Sequence, residues 1–470
     1  MMDLAGKAVL IVGLGDSGCE AAGAAAGLGA SVTAIDSCKE PSRMSMVPRL
    51  ESDGVEVLLG VDIPDGLKGY DLVVTSPGVP DRAPVLTRAR ESGLRVISEL
   101  EFAFRLLTNT IVAVTGTNGK TTTTTLISRM LDRPGRRAIA CGNIGTPLVS
   151  MRGEAGGGDI LVVEVSSFQL ANIEEFRARV SVVLNIAPDH FDWHRDMDEY
   201  REAKMRLVEN MLPGDYLVYN RNDDFCVGMA SVASGITVGF GLESSSGDGL
   251  WIEDGWIVAG PPLEAVEVMP VDEISIPGVH NVENVMAAAA ASLAMGEPTA
   301  RIREAAREFE GLAHRMEFVS RIGGVSFYND SKATNPQAAL QAIRSFKEPL
   351  VPIMGGRNKG LDLSELSREL CRGIEGGEVR GVVFLGESAG EFESAVRREC
   401  GATASGRIET ADGMEDSVQR AYRLAGGSGV VVLTPACASF DMFTDYKERG
   451  RAFKECVALL EGSDEVGDFE

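Results

Sequence analysis

A chain of 470 residues is too long for one core and implies about three domains. Its 44% hydrophobic content can fill them, and its net charge of −24 argues against nucleic acid or an anionic membrane surface as main partner. No apolar run reaches the ~18 residues of a membrane span, no basic region precedes an apolar run at the N-terminus, and the eight cysteines form no C-x-x-C pair, so a cytoplasmic protein with reduced thiols is expected.

Residues 7–13, K-A-V-L-I-V-G, read as a buried strand. Gly13-Leu14-Gly15-Asp16-Ser17-Gly18 and a small-residue helix to Ala26 follow, and a second strand ends in Asp36. This is G-x-G-x-x-G with an acid ~20 residues on, the dinucleotide fingerprint. The pattern is common among nucleotide-binding α/β domains, and the chain has a separate phosphate loop. The expectation is therefore a Rossmann-like domain whose first loop meets a diphosphate at a helix N-terminus. A third strand, Leu72 to Val74, leads to Thr75-Ser76-Pro77-Gly78-Val79-Pro80 at a strand's carboxyl end, where ligands bind in open sheets; a plain turn is the rival reading. This domain is expected to cover 1–98.

A second domain, 99–312, begins with Ile111-Val112-Ala113-Val114-Thr115-Gly116-Thr117-Asn118-Gly119-Lys120-Thr121-Thr122. A β-branched strand, a turn with two glycines, a lysine and a threonine-led helix form a shortened phosphate-binding loop. Asn143 follows another short strand, and 159–164, D-I-L-V-V-E, is an apolar strand whose Glu164 is placed to ligate Mg²⁺. The next strand ends near Asn185 and runs into Asp189-His190-Phe191-Asp192-Trp193-His194. With only four histidines in the chain, this cluster points His190 toward metal or substrate. The helix expected over Met197–Leu212 has a stripe of Met197, Tyr200, Leu207, Val208 and Met211, with Lys204 on it. Spacing leaves two readings of Lys204 open. It snorkels to a rim, or it faces the nucleotide site as a neutral amine.

Residues 213–275 suggest short strands and hairpins, with an Asp254-Gly255 turn between Trp251 and Val258. His280-Asn281 then opens an alanine-rich helix. From 313 to 470, apolar strands ending near Tyr328, Met354, Leu385 and Leu433 alternate with helices, a second doubly wound domain. Its loops are rich in Lys, Ser, Thr and Asn, suited to carboxylates. The class expected is α/β in three domains: Rossmann-like, central P-loop ATPase with a β extension, and Rossmann-like again.

G-T-N-G-K-T, E-V-S-S-F-Q-L (164–170), D-H-x-D (189–192), Y-R-E-A-K (200–204), H-N (280–281), H-R-x-E (314–317), N-D-S-K-A-T-N (329–335) and P-A-C-A-S (435–439) occur in this order. Together they resemble the Mur ligases, ATP-dependent enzymes that build the peptide of bacterial cell-wall precursors. The last two loops are similar to those of members that add D-glutamate. The resemblance implies a monomeric enzyme that phosphorylates the carboxylate of UDP-N-acetylmuramoyl-L-alanine and lets the amine of D-glutamate attack the acyl phosphate. It implies ATP held by Gly116, Thr117, Asn118, Gly119, Lys120, Thr121 and Thr122, with Asn281, Arg315 and Asp330 on base, γ-phosphate and ribose. One Mg²⁺ (or Mn²⁺) falls to Thr121 and Glu164, a second to His190 and a carbamylated Lys204. Lys332, Thr334, Lys359, Ser439 and Tyr446 lie where D-glutamate's carboxylates would be held. Gly15, Asp16, Ser17, Asp36, Ser37, Thr75, Ser76, Pro77, Gly78 and Asn143 would take the UDP-sugar. Two residues depart from the pattern: Tyr446, where phenylalanine is expected, and Asp16, an acid beside a diphosphate. The rivals are a nucleotide-dependent switch protein, an NAD dehydrogenase and, within the ligases, folylpolyglutamate synthase.

Overall fold

The computed structural model describes residues 2–39, 46–64, 66–189, 193–243, 247–358, 360–401 and 406–467, so His190, Asp192 and Lys359 lie outside the described residues. Packing divides the chain into two units, Met1–Glu273 with Glu283–Ala306, and Ile274–Val282 with Arg307–Glu470.

The first unit holds two sheets. One is parallel, in the order Glu56–Leu59, Ser31–Asp36, Ala8–Val12, Leu72–Thr75, Val96–Ser98. Val9, Leu10 and Ile11 are wholly buried, as a strand covered on both faces requires. The half-exposed edge strand Glu56–Leu59 goes unforeseen because its pattern is mixed. At Gly18 a Cβ would lie 1.9 Å from the Gly13 carbonyl oxygen, so glycine is what lets helix Asp16–Ala26 sit on the loop before it.

Helix Glu99–Leu106, capped by the Ser98 hydroxyl, buries Leu100, Phe102, Ala103 and Leu106 in one core. That core also takes Val9 and Ile97 from the first sheet, Ala22 from helix Asp16–Ala26, Ala113 and Val163 from the second sheet, and Phe176 from the segment before strand Val180–Val183. Within this helix Glu101 is fully buried. Its carboxylate accepts the amides of Glu174, Glu175 and Phe176 at 2.9, 3.1 and 2.8 Å, and Arg105 Nε at 2.6 Å.

The second sheet has nine strands, in the order Val266–Pro270, Trp256–Ala259, Leu250–Glu253, Ile236–Phe240, Tyr216–Asn220, Val180–Val183, Thr110–Thr115, Ile160–Glu164, Ala138–Gly142. The 213–275 stretch differs in part from expectation. Tyr216–Asn220 and Ile236–Phe240 run parallel, joined by helix Asp224–Val232, whose start Asp223 caps. The Asp-Gly hairpin is present, with φ of 48° at Asp254 and 81° at Gly255, as a two-residue turn of that hand requires. The helix expected over 197–212 is α-helical only from Met197 to Met205, then tightens to a 3-10 turn over Arg206–Val208. There Arg206 spreads its guanidinium onto the carbonyls of Ala171 and Ile173.

The second unit's sheet runs Glu317–Ile322, Val325–Asn329, Gly429–Leu433, Leu350–Gly355, Val382–Leu385, Ile408–Ala411. The first pair is antiparallel and the rest parallel. The two edge strands, both partly exposed, are the ones that periodicity does not reveal.

Glu101→Ala strands three backbone amides in the core and takes one of three carboxylate partners from Arg105. It is expected to cost about 3 kcal/mol or more, read as a lower urea midpoint for the first unit; an unchanged midpoint would refute the assignment.

Candidate active site

Strand Thr110–Thr115 is apolar from Ile111 to Val114, and after Thr115 the chain turns through Gly116–Gly119 into helix Lys120–Leu131. Gly119 caps that helix with φ of 83°, and a Cβ there would lie 2.3 Å from Asn284 Oδ1. Asn185, just past strand Val180–Val183, clamps the turn. Its Oδ1 accepts the Asn118 amide at 2.8 Å, its Nδ2 donates to the Asn118 carbonyl at 3.1 Å, and its carbonyl accepts the Thr117 amide at 3.0 Å. The Thr117 hydroxyl is engaged with Ala187 and, at 3.0 Å, with Tyr200 Oη, so its side chain braces the loop. Asn185 and Asn284 are residues that sequence reasoning missed. The signal for Asn284 is its place one helical turn after Asn281.

Two lysines converge here. Lys120 Nζ donates to the carbonyls of Gly116 and Thr117 at 2.9 and 2.8 Å. Lys204, 1% exposed, donates to the same Gly116 carbonyl at 3.0 Å and to Thr115 Oγ1 at 3.2 Å, 4.8 Å from the centre of the Tyr200 ring. The stripe of Tyr200, Leu207, Val208 and Met211 is buried, and Lys204 points with it beneath the loop rather than to a rim. Burial first, and the Lys120 charge second, hold the Lys204 ammonium well below the usual lysine range, which favours the neutral amine beside the phosphate loop.

Glu164 ends its strand 3% exposed. Oε1 accepts Asn143 Nδ2 at 2.9 Å, while Oε2 is buried with no hydrogen-bond partner. A buried carboxylate oxygen without a donor, in the same sheet as the Thr121 hydroxyl's loop, is the donor chemistry a Mg²⁺ ion takes. Among the described residues no three His, Cys, Asp or Glu side chains gather as a metal cage. A divalent ion would therefore draw on carboxylate, hydroxyl and phosphate oxygens together. His194 is wholly buried, its Nε2 2.8 Å from Ser167 Oγ and its ring packed among Phe168, Trp193 and Tyr200, a core position.

A cavity of about 600 Å³ opens at the carboxyl edge of the first sheet. Gly15, Asp16, Ser17, Asp36, Ser37, Ser76, Pro77, Gly78 and Asn143 line it together; Thr75 is absent from its wall and buried at its strand's end. Asp16 is the exposed first residue of its helix, where a carboxylate suits the dipole. The Asp36 oxygens accept the amides of Leu14 and Cys38 at 2.7 and 2.8 Å, so this acid braces two loops.

In the second unit, Asp330 follows strand Val325–Asn329 and accepts the Met316 amide at 3.1 Å. Burial pushes its carboxyl up to about 7 against the pull of Arg315. His314 and Met316 flank Arg315 with φ of 65° and 45°, and Ala436 has φ of 59°; backbone strain of this kind collects at functional loops. The Lys332 amide donates to the His314 carbonyl at 3.0 Å, and Lys332 Nζ lies 5.9 Å from the centre of the Tyr446 ring. Thr334 belongs to the same turn, and Ser439, two residues after Cys437, is 3% exposed. Asn281 donates to the Pro277 carbonyl at 2.6 Å. His280 is held down to about 4 by burial and the Arg315 charge, hence neutral at pH 7.

A shortened phosphate loop, two lysines and a carboxylate with one oxygen lacking a donor, all at the parallel part of one sheet, define a nucleotide-binding α/β enzyme of the P-loop class. Comparison narrows this. Family models described as the Mur ligase MurD-like N-terminal domain, the Mur ligase middle domain and the Mur ligase glutamate ligase domain match residues 7–98, 114–292 and 314–437. The chain is 41% identical over 460 residues to the UDP-N-acetylmuramoylalanine–D-glutamate ligase of Pelotomaculum thermopropionicum, covering 98% of this chain and 99% of that one. It is 37% identical over 459 residues to the same-named protein of Koribacter versatilis, covering 98% and 99%. Among solved structures, the UDP-N-acetylmuramate-alanine ligase of Thermotoga maritima shares the fold with a TM-score of 0.58 at 19% identity, over 97% of this chain and 99% of that one. A pseudomurein peptide ligase type C of Methanothermus fervidus gives 0.58 at 17%, over 97% and 100%. The chain belongs to the Mur ligase family.

Lys204→Met removes a desolvated amine from an apolar stripe, so the fold should keep or gain stability while activity falls at least about 100-fold. The sign of the pH effect follows. A lysine lowered in the fold is protonated in the unfolded chain up to its ordinary value of 10.5. The unfolded state therefore binds more protons, and wild-type stability rises with pH between the lowered value and 10.5. Urea midpoints of wild type relative to Lys204→Met should rise across that window; a flat difference would mean Lys204 is charged in the fold.

Proposed function

We propose that the protein is an ATP-dependent amide-bond ligase that adds D-glutamate to UDP-N-acetylmuramoyl-L-alanine, in the cytoplasmic stage of peptidoglycan precursor synthesis. The observation that carries the reading is the meeting of Lys120 and Lys204 on the Gly116 carbonyl. It supports phosphoryl chemistry at this loop, and the relatives' names supply the substrates. Loop amides and Lys120 hold the ATP phosphates. Asn281, Arg315 and Asp330 take base, γ-phosphate and ribose. The cavity lined by Gly15, Ser17, Ser76 and Gly78 takes the uridine diphosphate, and Asn143 guides the acyl end toward Glu164. Lys332, Thr334, Lys359, Ser439 and Tyr446 receive D-glutamate.

Mg²⁺, when bound by Thr121 and Glu164, and at a second site by His190 and Lys204 as a carbamate, neutralises charge gathering on phosphate oxygens. The chain's own part is positioning. Asn185 and Tyr200 fix the phosphate loop, and burial keeps Lys204 an uncharged amine able to add CO₂. Among the described residues no helix is long and apolar enough to cross a membrane, and the protein acts as a monomer on small molecules.

Phosphate release from ATP with Mg²⁺ and UDP-N-acetylmuramoyl-L-alanine is expected with D-glutamate and not with L-glutamate, L-lysine or no amino acid. Release with another amino acid would keep the ligase and overturn the D-glutamate assignment. ¹³CO₂ is expected to give a carbamate signal that Lys204→Met lacks; its absence from wild type would remove the second metal site as drawn.

A further inference from the structure

The largest wholly enclosed side chain in the protein is a cation. Arg449, in the first turn of helix Tyr446–Gly467, is 2% exposed. Its Nη2 donates to the carbonyls of Ser331 at 2.8 Å and Cys437 at 3.1 Å. Nη1 donates to Cys437 at 3.1 Å and reaches Gly355 at 3.5 Å, and Nε donates to Ser331 Oγ at 3.0 Å. The Ser331 hydroxyl in turn donates to the Tyr446 carbonyl at 2.8 Å. Among the described residues the guanidinium forms no ion pair. The acid whose charge it feels, Asp441, has its Oδ2 on the Glu387 amide.

For folding alone this is a poor choice. A guanidinium without a carboxylate carries a desolvation cost that an apolar side chain of similar size avoids, and a cation in a helix's first turn opposes the dipole. Burial lowers its proton affinity to about 10, so the charge persists at neutral pH. What the guanidinium supplies is a rigid planar fork. The loops it ties follow Val325–Asn329, Gly429–Leu433 and Leu350–Gly355, three neighbouring parallel strands, at their carboxyl ends. Those loops carry Lys332 and Thr334, Ser439, and the approach to Lys359. With the carbonyls of Cys437 and Gly355 turned onto the guanidinium, trans peptides turn the amides of Ala438 and Gly356 away from it. Gly356 is shaped to the same contact: with φ of 132°, a Cβ there would lie 3.1 Å from Arg449 Nη1 and 2.3 Å from the Ala438 carbonyl oxygen.

We propose that Arg449 is a positioning residue for the acceptor amino acid: its guanidinium sets the spacing of the three loops that grip a carboxylate-bearing substrate and supplies a positive charge beneath them that no ion pair among the described residues neutralises. The inference rests on the reading of these loops as the amino-acid site.

The test is steady-state kinetics of wild type, Arg449→Lys and Arg449→Met, varying each of the three substrates in turn, with thermal unfolding alongside. Lysine keeps the charge and loses the fork; methionine keeps bulk and loses both. The expected result is a rise in KM for the amino acid of about tenfold or more in Arg449→Met and a smaller rise in Arg449→Lys, with KM for ATP and the UDP-sugar within about twofold. A KM for the amino acid unchanged in folded Arg449→Met overturns the proposal. So does a uniform loss in kcat with all three KM values intact, which a bracing role alone would give. Failure of both variants to fold would also overturn it, since Arg449 would then serve the fold. Wild-type turnover with D-glutamate reports separately on the function; if wild type uses another amino acid, the same KM ratio is read on that one.

Discussion

One carbonyl oxygen, that of Gly116, accepts hydrogen bonds from two lysines, and much of the first unit is arranged around that meeting. Two unit charges ~4 Å apart at an effective dielectric of ~20 repel by about 4 kcal/mol. Lys120 is partly exposed and Lys204 is not, so burial and, after it, the nearby Lys120 charge weigh against the Lys204 proton. The outcome is a cation and a buried lysine with lowered proton affinity at one loop. Producing that pair requires strand Thr110–Thr115 to stop at Thr115, Asn185 to hold the turn, and the helix Met197–Met205 to lay its apolar stripe against the sheet with Lys204 included.

The same economy of placement recurs in both units. Loops that could touch ligand leave the carboxyl ends of parallel strands, and a buried charge without an opposite charge of equal burial pins them. Glu101 collects backbone amides from Glu174 to Phe176, the stretch that follows the E-V-S-S-F-Q-L segment. Arg449 collects carbonyls from three loops of the second unit. Each satisfies peptide groups that a loop departing from a sheet would otherwise leave unpaired in a dry place. An acid serves where amides point inward, and a guanidinium where carbonyls do.

What the sequence disclosed follows from which physics is local. The phosphate loop, the Rossmann-like loop and the Asp254-Gly255 turn are short stretches whose backbone demands fix residue type, and they were legible. So was the alternation of strands with helices. The partly exposed edge strands Glu56–Leu59, Glu317–Ile322 and Ile408–Ala411 were not, because an edge strand lacks the continuous apolar run of its central neighbours. Lys204 could be placed on an apolar stripe but not aimed, since periodicity gives a face and not what the face meets. Asn185, Asn284 and Arg449 escaped for the same reason: their partners lie 67, 161 and 118 positions away in the chain.

The first fingerprint in the chain shows how far a motif's physics reaches. Gly13 and Gly18 meet requirements of the fold, a tight turn and a helix packed on its own loop, and those hold whatever nucleotide is bound. The acid that would seat a ribose 2′-hydroxyl is the discriminating residue, and in this chain the Asp36 oxygens, on the cavity wall, each accept one amide, those of Leu14 and Cys38. The rest of the wall shares in ligand choice. Part of that wall, Gly142 to Pro147, comes from the other sheet, and its Asn143 holds Glu164, the carboxylate with one oxygen unpartnered. Through Asn143 and Glu164 the cavity is joined to the sheet that carries the phosphate loop. A nicotinamide dinucleotide would bring no carboxylate to Lys120, whereas a nucleotide-linked acyl donor would.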